Sequence, residues 1–418
     1  MDNSLKNEEK KILGVYLKCK TRKGKMDVSF DYSSTETNNI SFPADKSQYF
    51  AESKLNDIVV TYSNLSKIQR SNELLLFKII INNKDNKYKI KLFYKIPLVN
   101  FNFQDCLWYV INSNSPQPEE RENDDYILKE NDLLKIGQYK YIVREINFAG
   151  RGTQIQTDKF VDISPPLKDV KKCEYCENLT VNLCKCKNEY VHIDEFKKWV
   201  KDNCKERQKR KVKNYYFSMF HCEHCEEKLI PELKKENNEN KICNTYYPLQ
   251  FKYKINNQNN EANKDNKEKK DEYKVCNLFE FEIPKEKEYM ILESLPEKDI
   301  SQNSNKIVKS VHIVELTKGD EIKIGRDEKK NDIIIDDVTV SSEHALIKYD
   351  INTGNLILKS LKNHFGTLVL VNPDKENKLL EIKEKPIFFQ SNRTFFEVRL
   401  MSMDDFLKYK KNENIKFL

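Results

Sequence analysis

A chain of 418 residues exceeds what one ordinary hydrophobic core organises, so two or three domains are expected. Its 73 Lys and Arg against 66 Asp and Glu leave a net charge of +7, a weak excess that suits acidic or phosphorylated partners and argues against nucleic acid. No run approaches the ~18 apolar residues of a membrane span, and the opening MDNSLKNEEKK is no signal peptide, so a soluble intracellular protein is expected. In that reducing setting the 11 cysteines read as metal ligands or core thiols rather than disulfides.

Residues 1–165 read as a β-rich sandwich of their own. Asp57 to Thr61, Leu74 to Ile81 and Lys87 to Tyr94 carry strand-forming residues, and Asn82 to Lys87 is a hairpin candidate. A Pro/Glu/Asn-rich loop, Asn112 to Asp125, precedes a further strand region, Leu133 to Ile146. Within it, Leu134-Lys135-Ile136-Gly137-Gln138 places a glycine and a glutamine at a strand end.

Residues 166–245 hold most of the cysteines. Cys173-x2-Cys176, Cys184-x-Cys186, His192 and Cys222-x2-Cys225 have the spacing of zinc ligands, because each Cys-x2-Cys turn presents two thiolates to one tetrahedral ion. Ile193, Phe196, Trp199 and Val200 recur at helical spacing and are expected to pack on this unit. The helix is expected to run on through Cys204, a buried thiol, and the basic run 205–213, KERQKRKVK, is expected to be its solvated face.

The order of these ligands, the short Cys-x-Cys and Trp199 resemble the RING-CH (RINGv) finger. That resemblance implies one or two structural zinc ions in a cross-brace. Cys173, Cys176, His192 and residue 195 would hold one, and Cys184, Cys186, Cys222 and Cys225 the other. The family has a cysteine where this chain has Glu195. Either Glu195 or Asp194 completes that site through a carboxylate, or the site is empty and packing replaces it. The resemblance also implies docking of a ubiquitin-conjugating enzyme. Tyr175, standing where the family docks through an aliphatic residue, counts against ligase activity.

Residues 246–287 are expected to form two strands, Tyr247 to Ile255 and Tyr273 to Ile283. Between them, Asn256 to Glu272 holds Ala262 as its one apolar residue and is expected to be a disordered loop. Strands Tyr289 to Leu295, Ile307 to Leu316 and Thr394 to Leu400 bound a final module over residues 288–400. Residues 401–418 read as a short helix and tail.

That module contains IGRDEKKNDIIIDDVTVSSEHA, which sets Gly325-Arg326 at one strand end and Ser341-x-x-His344 at the start of another. An arginine fork and a hydroxyl delivered together make a compact anion site. The pattern resembles the forkhead-associated (FHA) domain, a β-sandwich that reads phosphothreonine. The resemblance implies that Arg326 and Ser341 contact phosphate, that Ser342 touches phosphate or peptide backbone, that Gly325 permits close approach, and that His344 buttresses the loop. The family's Asn-Gly-Thr turn is here Asn363-His364-Phe365-Gly366-Thr367, so Phe365 stands where the peptide-binding asparagine is expected, with Asn363 two residues earlier. Residues 134–138 echo the same strand, with Gln138 in the arginine's place, implying a phosphate-blind FHA-like sandwich.

The expected fold is therefore mainly β, one or two FHA-type sandwiches with an inserted small α+β zinc finger. The combination is similar to ciliate-type protozoan proteins that pair FHA domains with RING-CH fingers. It implies a non-enzymatic phosphothreonine-dependent adaptor within a larger complex. Two alternatives stand beside it: a ubiquitin ligase recruited to phosphorylated substrates, and a phosphate-independent part of a cytoskeletal or ciliary assembly. No other catalytic constellation is present in the sequence. Cytoplasm or cytoskeleton is the expected location, with cilium and nucleus left open.

Overall fold

The structure, a computed structural model, describes residues 12–22, 35–43, 48–53, 59–62, 73–82, 87–92, 107–111, 126–148, 168–172, 179–182, 190–218, 232–233, 247–255, 273–284, 287–295, 309–361, 366–370, 380–382, 386–391, 394–402 and 415–417. Strands dominate, and one α-helix occurs among the described residues.

The functional region is built from two separate stretches. The first supplies Leu107–Ile111 (β1), Tyr126–Ile127 (β2), Leu133–Ile136 (β3) and Tyr139–Asn147 (β4). After it come the helix Ile193–Asp202 (α1) and a hairpin, Cys204–Lys209 (β5) and Val212–Phe217 (β6). The second stretch supplies Glu288–Ser294 (β7), Lys309–Leu316 (β8), Glu321–Gly325 (β9), Ile333–Ile334 (β10), Ala345–Tyr349 (β11), Leu356–Ser360 (β12) and Thr367–Leu370 (β13).

These strands form two facing layers. One runs β5-β6-β8-β7-β4-β3-β13-β1 and continues through Ile387–Ser391, Thr394–Ser402, Ile12–Arg22, Thr35–Pro43 and Ile415–Phe417. The other runs β10-β9-β11-β12-β2. Leu134, Val143, Met290, Ile324, Ile347 and Leu358 come from both stretches, are at most 1% exposed, and lie in one core cluster. Side chains on alternate strand positions of both layers fill the space between them.

Here the structure departs from the expected separation of residues 1–165 from residues 288–400. β4 pairs with β7, β3 and β1 pair with β13, and β2 pairs with β12. A single sandwich results. Residues 148–287 stand between β4 and β7 in sequence, yet Asn147 and Tyr289 are direct register partners, and β5–β6 from that interval joins the same layer through β8. At this seam, Arg144 and Lys309 both pair with Glu293, whose side chain is 1% exposed. Burial alone would raise the Glu293 pKa, but the two cations hold it below the ordinary carboxylate value.

Other local expectations also change. α1 ends at Asp202, where Asn203 turns the chain and donates its side-chain amide to Trp199 O at 2.9 Å. Cys204 therefore opens β5, and burial, aided by Glu206, pushes its thiol up to about 12. The basic run is not a helical face. It forms the β5–β6 hairpin, because Tyr215, Tyr216 and Phe217 supply strand-forming bulk and β6 pairs along β8. Residues 401–402 extend a strand and Ile415–Phe417 forms another against Thr35–Pro43, while residues 403–414, which include most of the expected terminal helix, lie outside those described. Glu73–Asn82 and Lys87–Leu92 pair through the Asn82–Lys87 register, and Tyr247–Ile255 pairs antiparallel with Tyr273–Phe281. Residues 256–272 lie outside those described. No helix among the described residues is long and apolar enough to cross a membrane.

Candidate functional site

Arg326 follows β9 directly, and Ser341 lies four residues before β11. Three backbone bonds zip the two segments together. Arg326 N donates to Ser341 O at 2.9 Å, Asp327 N to Ser342 O at 3.1 Å, and His344 N to Ile324 O at 2.8 Å. The side chains of Arg326 and Ser341 thus leave from hydrogen-bonded neighbours. Arg326 and Ser342 are exposed, and Ser341 is half-buried.

Gly325 permits this approach. A Cβ there would lie 2.5 Å from Ser342 O and 2.7 Å from Asn331 Oδ1, well inside contact distance. The Arg326 loop is closed from within by Asn331, which is 1% exposed. Its Nδ2 donates to Asp327 O at 2.7 Å and to Ser342 O at 2.5 Å, so one amide ties both loops. Asp332 fastens the loop's far end, its backbone N donating to Lys323 O at 2.9 Å and its Oδ2 accepting the Lys323 amide at 3.0 Å. Sequence reasoning did not single out Asn331 or Asp332. Their signal was two adjacent polar residues opening a run of buried isoleucines.

The Ser341 loop has its own supports. Asp337 Oδ1 accepts the Thr339 amide at 2.8 Å and its hydroxyl at 2.6 Å, an Asx-type turn. Thr339 Oγ1 then accepts the Gln138 amide at 2.9 Å. Gln138 belongs to the two-residue turn joining β3 and β4, where Gly137 adopts φ +61° and a Cβ would lie 2.5 Å from Thr339 Oγ1. The Gly137-Gln138 pair therefore braces the serine loop.

His344 is fully buried beneath the site. Its Nδ1 accepts the Ser341 amide at 3.2 Å, which leaves the proton on Nε2, and Nε2–H donates to Gly366 O at 2.9 Å. Burial pushes its pKa down to about 4, against a partial opposing effect from the Gly366 carbonyl. The ring is neutral and structural. It fastens the serine loop to the chain entering β13, the segment after residues 362–365. Asn363 and Phe365 fall within those four residues, outside the described part of the chain.

Between Cys173 and Cys225, residues 179–182 and 190–218 are described, and they include the helix. His192 precedes α1 and Glu195 sits in its first turn, with Nδ1 and Oε1 3.9 Å apart. Cys173, Cys176, Cys184, Cys186, Cys222 and Cys225 lie outside the described residues, and among those described no group of three or more metal-binding side chains occurs. Phe196 and Val200 are buried, and Phe196 stacks on Trp199 with centroids 5.7 Å apart.

An FHA domain is found at residues 322–385. The matched span opens inside β9 and takes in Gly325, Arg326, Ser341, Ser342 and His344, but none of β1–β8. No curated protein and no solved structure matches the chain. The match supports a protein-interaction role based on phosphothreonine binding.

Proposed function

We propose that this chain is a non-enzymatic adaptor whose FHA sandwich binds a phosphothreonine segment of a partner protein through Arg326 and Ser341. The carrying observation is the backbone zipper between the Arg326 and Ser341 segments, which holds the residues bearing a cation and a hydroxyl on adjacent, hydrogen-bonded stretches of chain before any ligand arrives. Such preorganisation spares the ordering cost of binding, and a charge-assisted guanidinium–phosphate bond is among the stronger polar contacts. Gly325 holds the loops close, Ser342 adds a contact from the exposed rim, and a structural zinc in the cysteine-rich unit holds α1. Asn363 and Phe365 would border the peptide. The ligase reading rests on finger residues outside those described, and the phosphate-independent reading uses the same FHA surface without the phosphate.

The test is anisotropy with a degenerate peptide library centred on phosphothreonine, against its unphosphorylated counterpart. The wild type is expected to prefer the phosphorylated library, and Arg326→Ala to lose at least tenfold in affinity. Equal binding of both libraries by the wild type, or unchanged binding by Arg326→Ala, would sink the proposal.

A further inference from the structure

The β5–β6 hairpin leans on the loop that carries Arg326, and it does so through side chains that no part of the proposed site requires. Arg207 Nη1 meets Glu328 Oε1 at 2.7 Å, two residues beyond Arg326. Asn214 Nδ2 donates to Asp332 O at 3.1 Å, and Ile334 N donates to the Tyr216 hydroxyl at 3.3 Å. Arg210 Nε lies 3.5 Å from Asp332 Oδ1. The contacts fall on the start, end and exit of residues 326–334.

Behind them runs a polar chain into the larger sheet. Ser310 Oγ meets His312 Nε2 at 3.0 Å, and His312 Nδ1 meets Asn214 Oδ1 at 2.8 Å. Asn214 Nδ2 must donate to the carbonyls around it, so Oδ1 accepts from Nδ1–H, and the serine hydroxyl donates to Nε2. Burial pushes His312 down to about 3, and the ring is neutral. Asn214 is 1% exposed and so is held at both its ends. The hairpin reaches this position because it directly follows α1, through Asn203, while β6 is zipped to β8 over six register pairs.

We infer that β5–β6 is a positioning element for the phosphate-reading loop, with Arg207 as a positioning residue, so that the affinity of Arg326 for a phosphorylated partner is set by a hairpin that lies within the cysteine-rich stretch, between His192 and Cys222 in sequence. This rests on the phosphothreonine reading above. A loop tied only at its ends samples several placements of Arg326, and each contact from the hairpin removes some of them. Anything that shifts α1 or the hairpin therefore changes phosphate affinity without touching the ligand.

The test uses the full chain and the Arg207–Glu328 pair, whose side chains are 30% and 64% exposed, so that neither substitution disturbs the core. Arg207→Glu is expected to weaken binding of the phosphothreonine library about fivefold at an unchanged thermal midpoint. Lys205→Glu, the same charge change at an exposed position of β5, is expected to weaken it less than twofold. The charge swap Arg207→Glu with Glu328→Arg is expected to recover wild-type affinity. Amide hydrogen exchange over residues 326–332, in the absence of peptide, is expected to rise in Arg207→Glu and return in the swap. Equal weakening by Lys205→Glu, or a swap that stays as weak as the single variant, overturns the inference. If the wild type shows no preference for phosphate, the exchange measurement still decides the positioning role, and only the reader proposal falls.

Discussion

The Gln138 amide donates to Thr339 Oγ1 at 2.9 Å across 201 residues of sequence, joining a turn of the first strand group to the loop that presents Ser341. The same turn places Gly137 where no side chain fits, with φ +61° and Thr339 backbone and side-chain atoms within 2.7 Å of any added Cβ. Gly137→Ala is therefore expected to destabilise the sandwich by about 2 kcal/mol or more and to shift the Ser341 loop. Chemical denaturation followed by phosphopeptide titration checks both. An alanine variant with wild-type stability would mean that the turn and the loop are not in contact.

Asn331 makes the second tie, from inside the Arg326 loop to the Ser341 loop. Asn331→Ala strips Asp327 O and Ser342 O of a buried donor, a loss of about 1–3 kcal/mol. Phosphopeptide affinity is expected to fall with it, while Asn331→Ala combined with Arg326→Ala shows no further loss of binding. Additive losses in that double variant would separate Asn331 from the reading site.

Two buried histidines predict acid sensitivity. His344 and His312 are pushed down to about 4 and about 3, so the folded chain holds both neutral while the unfolded chain protonates them near 6.5. Stability from each is complete above pH 6.5 and is lost as pH falls toward those folded values, at about 1.4 kcal/mol per pH unit for each ring. Denaturation midpoints at pH 7 and pH 5 should differ accordingly. Ring carbon shifts of His344 that titrate between those two values would contradict a neutral lock.

The metal expectation has a direct measure. Elemental analysis of the purified chain is expected to give at least one zinc, with Cys222→Ser lowering the count. Two zinc ions in the wild type and one in Glu195→Gln would place Glu195, 3.9 Å from His192, among the ligands. No zinc at all would remove the finger reading.

How much of this could be read from the chain varies by range of interaction. Gly325, Arg326, Ser341 and His344 stand within one contiguous motif, and their pattern resembles the FHA domain without help from elsewhere. The strands Leu133–Ile136 and Tyr139–Asn147 were also legible as strands. Their partners were not, because a strand's alternation states which face is buried but not which distant strand lies beside it. The basic run 205–213 misled for a related reason. Lys, Glu, Arg and Gln are good helix formers, and only the pairing of β6 with β8 decides against a helix. Asn214 and Thr339 escaped notice because the partners that give them meaning, Asp332 and Gln138, lie far off in sequence, and Asn331 because its partners are backbone carbonyls, Asp327 O and Ser342 O, which no residue type announces.

The 140 residues that separate β4 from β7 in sequence bear on synthesis as well as on architecture. β4 cannot meet β7 until roughly 140 more residues have been made, nor β3 meet β13 until roughly 230 more, which takes roughly seven to forty-five seconds at ordinary elongation rates. Throughout that interval the nascent chain carries the apolar strands Leu107–Ile111 and Leu133–Ile136 without their final neighbours. Such unpaired edges invite wrong partners. The protein's yield in a cell should therefore depend on chaperones that shield early strands, more than that of a sandwich whose strands follow one another without interruption.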